Sequence, residues 1–448
     1  MQQLFRRAAL TALSAMILLQ AGCGYFQTQP QSTNDQAQQP ETVSMEGGAT
    51  ASGQAGDANQ AGAGAQSGET AHPGEGAKPG AGLPILTQAP AVGADTLQVL
   101  FINVGKADAI LVQYGGANVL IDTGTEEAAP HLLGALAFMG VEKLDAVALT
   151  HTHKDHIGGF VPLAKQLPVG RSYAAVYSEN KKKGGNKITE AAEEGDVPLT
   201  RLMAGETLPL GGGTDFQVLG PLVFNTQDDN DNSLILSLHC NNRKLLFTGD
   251  MQFAQEDTLL SAGVDVSADV LKVGNHGNPD ATGTDFGRAV SPSVAVISTD
   301  TNEDEDSANP RVYAALPGAD VHVTQDTVLG VLLTIAPDGA MALYNAAPEG
   351  IQADIAMEAA DRNTQTLTIH NDGDALDVSG WMIQSQQGGQ LFVFPEGSLL
   401  PAKAAVTLAA QGGTGDFIFA GEKEPWHKKK ADTAILYDRF GLEVARNY

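Results

Sequence analysis

A layered α/β domain followed by a smaller all-β sandwich is the fold class this sequence predicts, and three observations carry it. Between about residues 97 and 345, short runs rich in Val, Ile, Leu and Phe alternate with stretches of helical spacing, the pattern of helices packed on sheets. From Gln352 the helical spacing stops, and short strand-like runs alternate with Gly, Asp and Pro turns to the end of the chain, which reads as a β-sandwich. Ahead of both, residues 24–94 are rich in Gln, Ala, Gly, Thr, Ser and Pro and almost free of large apolar side chains. That composition buries too little surface to offset the entropy of ordering it, so it is expected to be a flexible tether.

Taken in order, residues 1–23 read as an export signal. Arg6 and Arg7 precede an apolar stretch from Ala8 to Leu19, too short to span a bilayer as an ordinary helix. The stretch ends LLQAGC and resembles a bacterial lipoprotein signal, which is cut before the cysteine, here Cys23. The expected protein is therefore exported and membrane-anchored through a lipid on Cys23, with the folded part outside the cytoplasm. Cys240 is the other cysteine of the chain. With Cys23 lipidated no intramolecular disulfide is available, and Cys240 in the run SLHC reads as a small buried hydrophobe.

Folded structure is expected from about residue 95. LQVLFINV (97–104), AILVQYG (109–115) and ANVLIDTG (117–124) read as strands. Glu126 to Met139 has helical spacing, with Leu132, Leu133, Leu136 and Ala137 on one face and Gly140 as the stop. A strand to Thr150 follows, then a polar loop, a short helix from Phe160 to Gln166, a strand AAVYSEN (174–180) and a helix ITEAAEEG (188–195). FQVLGPL, SLILSLHC and KLLFTGD complete the strands of this part. In the last part, TQTLTIHN, GWMIQS, LFVFPEG, AAVTLAA and TAILYDRFG are the predicted strands of an independent domain over 352–448.

The loop after the Thr150 strand carries the chemistry. THTHKDHIGG (150–159) holds three of the ten histidines of the chain, His151, His153 and His156, with Asp155 among them. Imidazole and carboxylate are the ligands a borderline divalent ion prefers. Two histidines one residue apart on an extended segment point the same way, and the turn that follows brings Asp155 and His156 round to a second position. Formal charge is −27, from 26 basic and 53 acidic side chains. Such a surface disfavours passive DNA binding through Lys and Arg while leaving room for an enzyme.

This motif resembles the metallo-β-lactamase superfamily signature, and its other pieces recur in order: VLIDTG with Asp122, LLFTGDM with Asp250, and DVLKVGNHG with His276. Within that superfamily the resemblance is to the hydrolase domain of ComEC-type competence proteins, carried by FINVGKADAILV (101–112), AGETLPLGG (204–212), DNDNSLILSL (229–238) and DVLKVGNHG (269–277). It implies a four-layer αββα sandwich over 95–345. It also implies two divalent metal ions, zinc or manganese, one on His151 and His153, the other on Asp155, His156 and His276, with Asp250 bridging. A shared, activated water is then the nucleophile, Asp155 orients it or takes its proton, and Asp122 holds a ligand histidine from behind.

The chain departs from the family pattern. NVGKAD (103–108) stands for Asp-Val-Gly-Gln-Gly-Asp, Asn275 and Asn278 replace a histidine and a serine of the last motif, where they are expected to contact substrate, and Asn309 stands in a His-Pro pair. QDDNDNS (227–233) carries no histidine where many members have one. Asp229 or Asp231 is an oxygen donor there, or else the segment is an acidic turn exposed to water, the reading preferred on sequence. His239, inside a strand, reads as a strand residue and not a ligand. Lys181, Lys182 and Lys183, with Lys187, form a basic loop that either contacts phosphate or is simply solvated. The same holds for Lys428–Lys430 beside Trp426.

The C-terminal part, DVSGWMIQSQQGGQLFVFPEGSLLPAKAAVTLAA and EPWHKKKADTAILYDRFGLEV, resembles the Ig-like lamin-tail domain, with Trp381, Phe394, Pro395, Pro401, Trp426, Asp432 and Gly441 at that family's positions. The resemblance implies an adaptor role. Together these readings point to an extracytoplasmic metal-dependent hydrolase of phosphodiester bonds, with DNA as substrate. The alternatives are an envelope phosphoesterase acting on choline- or teichoic-type phosphates, and a metal-binding adaptor without turnover.

Overall fold

The strand Leu97–Ile102 shows how the core is built. Its odd residues Leu97, Val99 and Phe101 enter one apolar cluster, and its even residues Leu100 and Ile102 enter another. Alternation along a strand buried on both faces produces that division. The computed structural model describes residues 82–177 and 187–447. The signal segment with Cys23, the tether up to residue 81, and Lys181–Lys183 lie outside the described residues.

Among the described residues, two large sheets face each other. The first runs, in spatial order, Ile85–Leu86, Met341–Ala346, Gly330–Ile335, Leu97–Ile102, Ile110–Tyr114, Ala117–Ile121, Ala146–Leu149, Ser172–Ala175 and Leu199–Leu202. The second runs Asp320–Val323, Val294–Ile297, Val270–Lys272, Arg243–Phe247, Ile235–Cys240, Thr214–Gly220 and Thr207–Gly211. Phe101, Val112, Val119 and Ile121 of the first sheet share one cluster with Phe216, Leu236, Phe247 and Val270 of the second. Phe247 binds the layers together, with its ring centroid 6.4 Å from Phe101 and 6.0 Å from Phe216.

Helices cover both outer faces. Ala129–Phe138 and Phe160–Gln166 lie on the first sheet through Leu132, Leu136, Phe160 and Leu163. Phe253–Ser261, Thr284–Val290 and Pro310–Ala315 lie on the second through Leu259, Phe286 and Val312. The result is the four-layer αββα arrangement that the resemblance implied. The last three helices are short, and their apolar spacing is too sparse to read in sequence. Ordered pairing also begins earlier than composition suggests: Ile85 and Leu86, inside the expected tether, pair in parallel with Asn345 and Ala346.

The last part is strand-rich, as read. One four-stranded sheet is made of Ile355–Met357, Thr366–Asn371, Ala404–Ala410 and Phe417–Phe419. A second is made of Leu391–Val393, Met382–Ser385, Ala434–Tyr437 and Glu443–Arg446. Between them lies a separate core around Trp381, Phe394, Phe419 and Trp426, so both tryptophans are packing residues.

This part does not stand free of the first. Phe440 and Leu442 pack into the helix layer of the α/β part, and Phe440 meets Phe138 edge to face at 6.2 Å. Gly134 and Gly441 make the approach possible. A Cβ on Gly134 would lie 2.1 Å from the Phe440 carbonyl, and one on Gly441 would lie 2.4 Å from the Pro130 carbonyl oxygen.

Candidate metal centre

Strand ends deliver the site residues. Ala117–Ile121 and Ala146–Leu149 are parallel neighbours in the first sheet, and Arg243–Phe247 and Val270–Lys272 are parallel neighbours in the second. Asp122, His151, Asp250 and His276 follow these four strands within one to four residues, at their C-terminal ends, where open α/β sheets place their ligand sites. Asp122 (φ 56°), Asn275 (φ 44°) and His276 (φ 54°) adopt left-handed backbone conformations. Such residues persist only where surrounding contacts hold them and concentrate at functional sites.

The histidines converge through one edge. Nε2 of His156, His276 and His151 lies 3.0, 3.2 and 3.8 Å from Asp250 Oδ2. Each ring is held by its other nitrogen. Nδ1 of His156 contacts Asp122 Oδ2 at 2.8 Å, Nδ1 of His276 donates to the Ser298 carbonyl at 2.8 Å, and Nδ1 of His151 meets the Thr150 hydroxyl at 3.1 Å. Fixing one imidazole nitrogen in this way aims the lone pair of the other at the centre. His151 Nε2 and His153 Nδ1 are 3.0 Å apart, near the roughly 3.3 Å that two nitrogens take on one tetrahedral zinc with arms of about 2.05 Å.

Asp155 closes the constellation, with Oδ2 at 3.5 Å from His276 Nε2 and 2.8 Å from Lys106 Nζ. Two donor sets share Asp250: Asp155, His156, Asp250 and His276 on one side and His151, His153 and Asp250 on the other, each with its ligand atoms within 4.8 Å of one another. A third group within the same limit, Asp108, Asp122 and His156, does not include Asp250. The six residues named on sequence as metal ligands are thus brought together. His239 is exposed on its strand opposite Lys244 and belongs to neither set.

The cluster attracts positive charge. Burial works against the Asp250 carboxylate, yet His156 and His276 hold it well below the usual carboxylate range. Burial likewise opposes the His276 imidazolium, but Asp250 and Asp155 push its pKa up to about 9. For His151, burial and the neighbouring His156 hold the ring well below its ordinary value, in the neutral form that ligates metals. Asp250 Oδ1 and His276 Nε2 are buried without a hydrogen-bond partner. Unpartnered buried polar atoms are costly, and the donor set therefore fits a divalent cation.

Several residues that sequence reasoning passed over shape the site. Asp108 and Lys272 are each 1% exposed and form an ion pair. Lys272 Nζ also donates to the Gly249 carbonyl at 3.0 Å and lies 3.8 Å from Asp250 Oδ1. The lone lysine in the apolar run DVLKV was the available signal, since alternation places it on the side of Val270, which points into the inter-sheet core.

Asp229 and Asp231 correct the preferred reading of an exposed acidic turn. They are 0% and 4% exposed. Asp229 Oδ2 accepts from the backbone N–H of Thr152 at 3.0 Å and from its hydroxyl, and Oδ1 accepts from Asn232 at 3.0 Å. The carboxylate thus braces the residue between His151 and His153. Asp231 accepts from the Gln252 N–H and the Asn225 amide, and neither aspartate joins a donor set.

The remaining sequence candidates separate. Asp122 accepts from the Thr150 N–H and hydroxyl, each at 2.7 Å, in addition to its His156 contact. Asn275 and Asn278, read as substrate contacts, donate to Asp280 and Asp304. Lys187 begins the helix Lys187–Glu194.

Residues 102–301 match the metallo-beta-lactamase superfamily. The chain is 29% identical over 255 residues to ComE operon protein 3 of Bacillus subtilis, covering 52% of this chain and 32% of that protein. It is 31% identical over 211 residues to competence protein ComA of Neisseria gonorrhoeae, covering 47% and 28%. The chain thus spans about a third of the length of the curated relatives it matches. Among solved structures, the metallo-beta-lactamase fold protein YhfI from Bacillus subtilis aligns with a TM-score of 0.38 at 14% identity, over 54% of this chain and 100% of that one.

Proposed function

We propose that the chain is a metal-dependent hydrolase that cleaves phosphodiester bonds. The observation that carries this is the convergence of three Nε2 atoms and Asp155 on Asp250, each ring pinned from behind. His151, His153 and Asp250 would hold one divalent ion, zinc or manganese, and Asp155, His156, Asp250 and His276 a second. When bound, such a pair supplies an activated water and charge stabilisation at phosphorus.

The residues do the rest. Asp122 keeps His156 in the tautomer that presents Nε2. Asp155 is 18% exposed and His153 is also partly buried, whereas Asp122, His151, His156, Asp250 and His276 are at most 2% exposed, so Asp155 is the carboxylate of the cluster that substrate and water can reach. Its carboxylate is the group placed to orient the water and take its proton. Burial works against that carboxylate, but His276 and His156 keep it well below the usual range.

One relative is named a competence protein, and DNA is the substrate we assign first. The second reading is a phosphate ester of the cell envelope. The acidic segment 300–306, which touches the loop of Lys106 through Glu303, favours it because clustered carboxylates repel a polyanion. We assign Cys23 as the lipid anchor, the low-complexity residues 24–94 as a tether apart from the pairing at Ile85 and Leu86, and the C-terminal sandwich as a lamin-tail adaptor.

The test is elemental analysis of the purified protein followed by a panel of phosphodiesters with added manganese or zinc. Asp250→Ala should deplete both metal positions, and His239→Ala should leave metal content unchanged. Stoichiometric metal with no turnover on any phosphate ester would leave the non-catalytic adaptor in place of the hydrolase.

A further inference from the structure

The centre opens to solvent at Lys106. Its side chain is 24% exposed beside Asp155 at 18%, at the edge of a cluster whose other members, the partly buried His153 apart, are almost fully buried. The loop that presents it is held at several points. The Asn103 amide donates to the Thr327 carbonyl at 2.9 Å, the Ala107 N–H to the Gly105 carbonyl at 2.9 Å, and the Asp108 N–H to the Asp155 carbonyl at 3.1 Å. Gly105 takes φ 76°, so the turn that aims Lys106 needs a residue tolerant of left-handed backbone. The Lys106 N–H donates to Glu303 Oε2 at 3.1 Å.

Building on the phosphodiesterase reading, we propose that Lys106 is the phosphate-recognising residue of the site. Its ammonium would take a nonbridging oxygen of a diester bearing a single negative charge. The geometry supplies the reason. Lys106 Nζ is 2.8 Å from Asp155 Oδ2, and Asp155 is also within 3.5 Å of His276 Nε2 in the donor set. Once Asp155 answers to a cation in the centre, the ammonium loses part of its counter-charge while remaining fixed at the entrance, and an anionic oxygen replaces it. Lys272, the other ammonium that reaches the cluster among the described residues, is 1% exposed and paired with Asp108, so it is out of a substrate's reach.

Glu303 and Asp304 set the limit on charge. Glu303 holds the Lys106 backbone, and Asp304 is fixed by Asn278 at 3.1 Å and acts on the Lys106 ammonium electrostatically. A second phosphate a few ångströms from the first would meet these carboxylates within the roughly 8 Å screening length of physiological salt. These carboxylates therefore select the second of the two readings above over DNA: a phosphate diester whose remaining groups are neutral or cationic.

The experiment is calorimetric titration of inorganic phosphate into metal-loaded full-length protein, with the metal content of every sample determined. Lys106→Gln should weaken phosphate binding by about tenfold or more, the range of a lost charge-assisted hydrogen bond, at unchanged metal content. Lys106→Arg should restore most of it. In competition, bis(4-nitrophenyl) phosphate should displace phosphate better than a short single-stranded oligonucleotide, and Glu303→Gln should narrow that gap.

Equal phosphate affinity in the parent and Lys106→Gln would overturn the proposal, as would a parent that binds no phosphate. So would a rise in metal content in Lys106→Gln, which would make the ammonium a competitor of the metal. An oligonucleotide that competes better than the small diester would overturn the substrate class. A parent that binds metal and phosphate but cleaves no ester would remove the hydrolase reading alone, because the Lys106 result is decided by binding.

Discussion

Asp122 Oδ2 lies 2.8 Å from His156 Nδ1, and both side chains are within 1% of complete burial. The same carboxylate accepts from the Thr150 N–H and hydroxyl, so three donors converge on two oxygens. Asp122→Asn keeps the shape but replaces one oxygen with an NH2 group. That group must face either the Thr150 N–H or the His156 Nδ1 edge, donor against donor. We expect metal affinity to fall about 10–100-fold, the range for loss of a partner behind a ligand histidine. Chelator competition measures it, with circular dichroism to show an intact fold. An affinity equal to that of the parent would refute the assignment of Asp122.

Much of this site was legible because metal ligation needs particular side chains at strand ends. THTHKDH, Asp250 and His276 each follow a strand-like run, and ligand chemistry names them. What sequence could not show was the partner across the fold. Lys272 meets Asp108 from 164 positions away, and nothing local to DVLKV reveals the carboxylate that neutralises it.

Asp229 and Asp231 were misread for a related reason. An acidic turn is usually solvated, but the backbone N–H and hydroxyl of Thr152 are buried and need acceptors, a demand that arises only once residues 152 and 229 are adjacent. The left-handed backbone at Asn275 and His276 was equally hidden, since neither residue type requires it.

The junction between the two folded parts yields the second prediction. Gly134 lies in the middle of the helix Ala129–Phe138, and the Phe440–Gly441 backbone sits where its Cβ would be. His131, one turn earlier, meets Tyr437 edge to face at 5.7 Å. The loop Asp122–Glu126 runs from the metal cluster to this junction, where the Gln384 amide donates to the Glu126 carbonyl at 3.2 Å. Gly134→Leu should force the sandwich off the helix, with an overpacking penalty of about 1–3 kcal/mol. In scanning calorimetry, unfolding of the two parts should separate into distinct transitions in the variant and overlap in the parent. Identical profiles would show that the contact does not couple them.

The last prediction concerns pH and a carboxyl away from the centre. Glu256, on the helix Phe253–Ser261, is 3% exposed and accepts from the Thr282 N–H and, at 2.8 Å, from the Gly283 N–H. Burial raises its pKa to about 7, against the opposing pull of these two N–H groups and of Arg311. The unfolded chain ionises this carboxyl near pH 4.5, so between 4.5 and 7 the folded state binds more protons than the unfolded one. Stability from this group must then fall as pH rises through that window and level off above about 7. The total is at most about 3.5 kcal/mol at about 1.36 kcal/mol per pKa unit. Glu256→Gln cannot titrate and loses one of the two acceptor contacts. We expect it to be less stable than the parent at pH 5 and to close that gap by pH 8. Urea unfolding of both proteins at pH 5, 6, 7 and 8, at fixed metal concentration, reads the difference directly. The difference cancels ionisations common to both chains, so parallel curves across the whole range would show that Glu256 does not titrate in the folded protein.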